Sequence, residues 1–499
     1  MSKGSEESAN ESKDHNCDEV AELTGHGRYH QFLLVTCCII SNGVALDMFG
    51  FSLVVTAASC DLQLDITQIG ILASAPFAGV LFAFPWGYYA DTCGRRCALL
   101  LSTSVGFTFS ALSSFATNWQ MMVAFKIIGC SFSSSSLTLV MTYLGENIGR
   151  AHRSRYLFIM NSMNLASEIV SFGLALFILP LTFSWPVPWL SITLRAWRLF
   201  TLVIAVPLGV GAVLLCYLYE SPTFLANKGE TEEAIRVLRK IFVFNGGNEI
   251  EFTIGHLKQP EAVKSKEKSI WESLNKQTVP LYRPPLLWRT LQLFYLLIIC
   301  CTTNNVFLMW FPTMVNLFFN SVSGTSADIG FCEAVVQNIT IDNNAENYVC
   351  DDSISLMTIY SGLALGFFFT IINLLASQLA SSRRLVLICC YLVAALSCIF
   401  VGLLTEPVAT MIFFILIQIT AIGIGSVSSY FVDLYPTSNR GLVTCLAMMV
   451  ARMTSFTGVN LLGAVVVSNC NLLFYSWAVF VLSGVVVALC LPSDRNKVT

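Results

Sequence analysis

The stretch Gly87-Tyr88-Tyr89-Ala90-Asp91-Thr92-Cys93-Gly94-Arg95-Arg96 stands between two long apolar runs and holds the densest charge for dozens of residues on either side. An aspartate and two arginines so close together do not sit in hydrocarbon, so the stretch reads as an aqueous turn between two membrane helices. Gly94 supplies a backbone able to turn tightly, and Gly87 lets a neighbouring helix come close. Outward from this turn, apolar runs of membrane-spanning length recur towards both ends. The chain of 499 residues is 55% hydrophobic and 12% charged, where a soluble domain carries roughly a quarter charged residues. The reading is an all-α polytopic membrane protein.

Twelve spans are expected, at 31–58, 67–89, 97–116, 119–143, 156–180, 198–219, 290–319, 354–378, 384–404, 408–432, 441–467 and 471–491. They group as two six-helix halves, 29–219 and 289–491, joined by a polar linker, 220–288. The polar, acidic, Ser-rich residues 1–28 read as a disordered tail without the apolar segment of a signal peptide. Residues 492–499 read as a second tail. Lys and Arg fall almost wholly on one side of this arrangement: among the outer connections only Arg195 and Arg198 are basic. The positive-inside rule therefore puts both termini in the cytosol. Within the linker, Glu230-Thr231-Glu232-Glu233 opens a segment with Ala234, Ile235, Leu238, Ile241 and Phe242 on one face, a cytosolic amphipathic helix. Lys264, Lys266 and Lys268 form a basic strip facing lipid headgroups.

The outer connection 320–353 has six acids and no Lys or Arg. It contains a glycosylation sequon at Asn338, and Cys332 and Cys350 flank that sequon, where a bridge between them would staple an otherwise floppy loop. Most of the 18 cysteines lie inside apolar runs and read as small hydrophobes. No zinc-like Cys spacing occurs and the five histidines are scattered, so no metal site and no cofactor are expected. A net charge of −3 offers nucleic acid nothing. No phosphate-binding loop or nucleophile constellation appears, which argues against an enzyme or an ATP-driven pump.

Ionisable side chains within spans are costly and face a cavity or a partner. Four stand out: Asp47 in the first span, Lys126 in the fourth, Glu168 in the fifth and Arg452 in the eleventh. Asp47 lies about 24 Å from the inner end of its span and Lys126 about 10 Å from the outer end of its own. Both thus fall in the outer half of the membrane, where they can pair. Glu168 falls near the midplane, where a bound proton removes the charge penalty of a conformational change. The alternative, that these acids pair permanently and only hold the bundle, stays open. Neutral candidates for holding a solute are Asn304, Asn305 and Trp310 in the seventh span and Gln418 in the tenth. Asn161, Asn164 and Asn460 belong with them or serve as interhelical glue. The run Ser131–Ser136 reads as a packing face.

The pattern Gly87, Asp91, Gly94, Arg95, Arg96 resembles, at every defining position, the loop between helices 2 and 3 of the major facilitator superfamily. Glu220-Ser221-Pro222, Tyr143 with Glu146 and Arg153, and Asp433-Leu434-Tyr435-Pro436-Thr437 with Arg440 resemble the organic-ion and sugar-porter-like branch. Trp86-Gly87, Trp197-Arg198-Leu199-Phe200 and Trp310-Phe311-Pro312 resemble the synaptic-vesicle glycoprotein 2 family. In the second half the loop motif is eroded to Leu375, Leu379 and Ser382-Arg383-Arg384, and the sugar-porter Gln-Gln-x-x-Gly pattern is missing.

The resemblance implies a monomeric secondary transporter, possessing the superfamily's two-half fold and taking a small-molecule substrate through a central cavity in the lipid bilayer. Two intramembrane acids and an acidic outer loop favour a cationic or zwitterionic solute, moved by alternating access with proton symport as the coupling mode. Asp91, Glu146, Arg153, Asp433 and Arg440 are then expected in a cytosolic gate. Asp91 would pair across to the other half and keep that side closed. A plasma membrane and a secretory or synaptic vesicle both satisfy the topology. The opposing reading is a non-transporting vesicle glycoprotein that acts in trafficking.

Overall fold

The computed structural model describes residues 27–80, 86, 89–90, 92–252, 286–324, 330–344, 354–378, 383–435 and 437–491. The first span is α1 (Arg28–Met48), continued after a short break by α2 (Phe51–Ala57). The second begins with α3 (Ile66–Gly79), whose first turn is closed by a capping box between Asp65 and Gln68. Then come α4 (Arg95–Ser113) and α5 (Trp119–Asn147), the latter capped by the Asn118 side chain. The fifth span is broken into α6 (Arg150–Leu165) and α7 (Ser167–Ile178). A hairpin of β1 (Trp185–Val187) and β2 (Ile192–Leu194) leads to α8 (Ala196–Leu215).

The linker opens with α9 (Pro222–Lys228) and α10 (Thr231–Phe244). Ala234, Val237, Leu238 and Ile241 of α10 are buried, so the expected amphipathic helix forms and turns its apolar face inward. It is docked at the entry of the first span, where Tyr29 stacks on Tyr219 with ring centroids 5.7 Å apart. Asn245 Oδ1 there accepts the Tyr29 amide at 3.0 Å.

The second half comprises α11 (Leu286–Gly324), α12 (Phe331–Asn344), α13 (Leu356–Gln378), α14 (Arg383–Leu403), α15 (Pro407–Leu416), α16 (Thr420–Leu434) and α17 (Thr437–Leu489). Ten helical stretches are long and apolar enough to cross a membrane. One of them, Leu446–Leu489, has 44 residues and breaks at Asn469 (φ −149°, ψ 58°), giving two passes. With the shorter apolar α3, the twelve expected spans are accounted for.

Within each half the helices pack through glycine and small residues. A methyl group on Gly43 would meet the Leu208 backbone at 3.0 Å, and one on Gly106 would meet Ser133 Cβ at 2.8 Å. Ser102 and Ser136 share a hydrogen bond of 2.6 Å, so the serine run is the packing face expected of it.

The two halves meet along the face of the membrane that carries the β-hairpin. Thr56 and Thr313 hydroxyls lie 2.8 Å apart, and Asn460 Nδ2 donates to Ser74 Oγ at 2.9 Å. Trp310 is buried between Gly70 of α3 and Gly463 of α17, and its indole N–H donates to the Val459 carbonyl at 3.0 Å.

The expected Cys332–Cys350 bridge is corrected: Cys332 is bonded to Cys470, with Cα atoms 5.6 Å apart. The connection is helical where a floppy loop is expected, and α12 turns Phe331 onto Phe318, Phe414 and Phe474. That packing brings Cys332 to the turn between the two passes of α17. Cys350 lies outside the described residues, as do the basic strip at Lys264–Lys268 and the side chain of Asn338.

Because Gly463 leaves no room for a side chain against Trp310, Gly463→Leu is expected to wedge the halves apart on the hairpin face. Labelling of a Thr313→Cys reporter by a membrane-impermeant maleimide should rise several-fold in that variant. Unchanged labelling would show that this crossing does not close the face.

Candidate substrate and gate site

Asp47, near the end of α1, is fully buried and so is Lys126 of α5. The Lys126 ammonium donates to Asp47 Oδ1 and, at 2.9 Å, to the Asp47 backbone carbonyl, and it lies 4.4 Å from the Phe51 ring centroid. Ser110 of α4 donates to the same carboxylate oxygen. Ser133 and Cys130 of α5 approach the other, at 3.4 and 3.6 Å. The pair expected from helix depth therefore forms, and three helices enclose it. It faces the interior of the first half.

Glu168 stands in the first turn of α7, just after the break at Ala166. Its backbone carbon would lie 3.4 Å from a methyl group on Gly366, so this acid sits where the fifth and eighth spans cross. The side chain is half-buried, and its carboxylate has no hydrogen-bond or ion partner among the described residues. Arg452 of α17 is also half-buried and has no counter-ion there; its Nη1 lies 3.8 Å from Met48 Sδ. Met48 follows Asp47, so Arg452 reaches across from the second half to the edge of the buried pair.

The neutral candidates divide. Asn305 donates to Ser455 Oγ at 3.1 Å, Asn164 to Ser41 at 3.3 Å and Asn460 to Ser74, all as ties between helices. Trp310 is committed to the seam between the halves. Asn304 is half-buried and reaches Asn305 Oδ1 at 3.4 Å, while Asn161 is exposed. Gln418 lies in a short 3-10 segment, Ile417–Ile419, that interrupts the tenth span, and its Nε2 is buried without a partner among the described residues. The Thr420 hydroxyl beside it is in the same state.

At the opening motif, Gly87 and Asp91 lie outside the described residues, and so do the side chains of Asp433 and Arg440. The rest of the network is formed within the first half. Arg95 pairs with Glu146 at 3.3 Å. The Glu220 carboxylate accepts the Arg96 amide at 2.9 and 3.1 Å, closing the N-terminus of α4. The Arg96 guanidinium donates to the Leu215 and Cys216 carbonyls at 3.0 and 2.9 Å, closing the C-terminus of α8 in turn. Gly94 adopts φ +111°, and a methyl group there would meet Glu220 Oε2 at 2.5 Å, so both conformation and space call for glycine. Arg153 donates to the Ile148 carbonyl at 3.3 Å. The part played by Glu220 was missed from the sequence, although its Glu-Ser-Pro signature was visible; the signal was an acid just beyond a span that ends opposite a glycine-capped helix.

This geometry belongs to a class: a polytopic bundle of two six-helix halves, with a charge pair sealed inside the first and an ionic brace at the connection of the second and third spans. Residues 35–341 match the family model of the Major Facilitator Superfamily, and the chain belongs to that superfamily. It is 25% identical over 369 residues to synaptic vesicle glycoprotein 2B of Rattus norvegicus, covering 67% of this chain and 52% of that protein. It is 28% identical over 252 residues to synaptic vesicle glycoprotein 2C of Mus musculus, covering 49% and 34%. The chain thus spans about half the length of the first of these relatives or less. Its fold matches the partially occluded inward-open xylose transporter XylE of E. coli at TM-score 0.65 and 14% identity, covering 94% of this chain and 100% of that one. It also matches an inward-facing, unoccupied bacterial homologue of the human lysosomal transporter Spinster, at TM-score 0.62, 11% identity and coverage of 93% and 97%. The family match thus assigns the chain to the superfamily, and the two solved transporters share its fold.

A buried pair is costly to break singly. Lys126→Met is expected to lower stability by about 3–5 kcal/mol, because it leaves the Asp47 charge buried and uncompensated. The double variant Asp47→Asn with Lys126→Met should recover most of that loss in thermal unfolding of the micelle-solubilised protein. Equal losses in the single and double variants would show that the charges do not depend on one another.

Proposed function

We propose that this chain is a secondary active transporter of a small organic zwitterion, carried by alternating access between its two halves and coupled to a proton taken up by Glu168. The observation that carries the reading is the pair of half-buried, uncompensated charges, Glu168 and Arg452, one on each half. In membrane spans such groups mark the path of a solute or ion. Asp47, by contrast, already has its cation. A solute bearing both an ammonium and a carboxylate group compensates both free charges, whereas a purely cationic one leaves Arg452 bare. Arg452 supplies a planar fork suited to a carboxylate. A proton on Glu168 takes the place of the solute's cation when the site is empty, so the unloaded protein resets carrying a proton and the coupling is exchange of solute for proton rather than the symport expected from sequence.

The distribution of Lys and Arg supports a cytosolic location for both termini and the linker. The presence of both helical halves in one chain supports action as a monomer. Likeness to synaptic vesicle glycoproteins supports residence in a vesicle or the plasma membrane, with Asn338 glycosylated on the far side. It also supports the opposing reading of a vesicle glycoprotein that does not transport.

Uptake of labelled zwitterionic, cationic and anionic solutes into proteoliposomes, with and without a pH gradient, separates the two. Zwitterion flux stimulated by the gradient is expected. Glu168→Gln should abolish that stimulation while leaving exchange of solute across the membrane. Arg452→Ala should weaken apparent affinity by about tenfold or more, the loss of one charge-assisted contact. Absence of flux for every solute in folded protein would overturn the transport reading.

A further inference from the structure

The connection 179–195 has a single charged residue, Arg195, at its very end. It folds into the β1–β2 hairpin, with Trp185 opposite Leu194 and Val187 opposite Ile192, and turns at Ser191 in the left-handed region. Trp185 is 66% exposed and Trp189 82% exposed, while Phe183 packs against Trp185 at a ring separation of 5.6 Å. Two indoles held open in this way are unfavourable in water.

The root of the hairpin is fixed. Asp61, beyond the end of the first span, pairs with Arg195 at 3.4 Å and with Arg198 at 3.3 Å, and it accepts the Trp197 indole N–H at 3.1 Å. Arg198 also donates to the Ser114 and Ala116 carbonyls at 2.8 Å, tying in the turn after α4. The base of the hairpin is therefore tied to the first half.

We propose that this hairpin is an interfacial membrane anchor, with Trp185 and Trp189 seated among phospholipid headgroups and upper acyl chains. The occupant follows from continuity. Phe177 near the end of α7 and Leu181 just beyond it are exposed, and Val206, Val210 and Val213 are exposed along α8. Exposed apolar flanks of membrane spans are surfaces that lipid covers, and the hairpin joins those two spans within a few residues at each end. Indole suits the boundary because its ring is apolar while its N–H can reach water or phosphate. Without charge, the attachment works by insertion, not by attraction to acidic lipids.

The test compares the full-length protein, wild type and Trp189→Ser, reconstituted in nanodiscs. The fluorescence lost in the variant is the Trp189 signal, and it should be quenched severalfold more strongly by phospholipid brominated high on the acyl chain than by aqueous acrylamide. Trp185→Ser gives a second reading from the other strand. Quenching by acrylamide alone would place the indoles in water and overturn the proposal. Protection from both quenchers, with a dimer that Trp189→Ser dissociates, would assign the face to a second copy and overturn it equally.

Discussion

The ammonium of Lys126 and the carboxylate of Asp47 are buried together in the middle of the first half. Neither charge is tolerable alone in such surroundings. The carboxylate is held by groups from α4 and α5 while it rides on α1, so one side chain sets the relative depth of three helices. Close contacts between small residues then follow at that register, Gly106 on Ser133 and Gly79 on Cys130. The first half behaves as one body because slipping any of these helices would strand a charge. The pairing also removes Asp47 and Lys126 from the supply of free charge, which leaves Glu168 and Arg452 as half-buried charges without a counter-ion among the described residues.

The seam between the halves is built in another way. Among the described residues it includes neutral hydroxyl and amide hydrogen bonds, Thr56 with Thr313 and Ser74 with Asn460, Trp310 pressed between two glycines, and Phe172 packed on Phe311. Such contacts contribute modestly in a membrane, about 0.6 kcal/mol each on average and up to about 2. They can form and break without exposing a bare charge. At the opening motif, by contrast, Arg95, Arg96, Glu146 and Glu220 brace helices of one half to each other.

Much of this was legible in residue order because a bilayer imposes two one-dimensional rules. Spans must be long and apolar, and charge must have a reason to be inside. The first rule made the span boundaries readable to within a few residues in most cases. The second singled out Asp47 and Lys126, and a rise of about 1.5 Å per residue placed them at compatible depths. Azimuth was not available from either rule. Which way Trp310, Asn305 and Asn460 point around their helices decides whether they meet a solute or a neighbour, and their spacing alone left both choices open. The cysteine pairing failed for a related reason: proximity in sequence favoured Cys350, but once α12 is helical its first turn faces Cys470, 138 residues away.

From the sequence alone came the membrane class, the span count, the halves and linker, the opening motif and the resemblance to the superfamily, since each depends on local composition and short-range order. The hydrophobic effect and backbone hydrogen bonding act on every segment separately, so a segment announces its fate by itself. Only the tertiary structure decided that Asp47 is sealed within one half, that Glu168 and Arg452 are left uncompensated, that Glu220 caps α4 and that a pinned hairpin presents two tryptophans outward. Each of those depends on which helix faces which, and that is set by the packing of all the spans together.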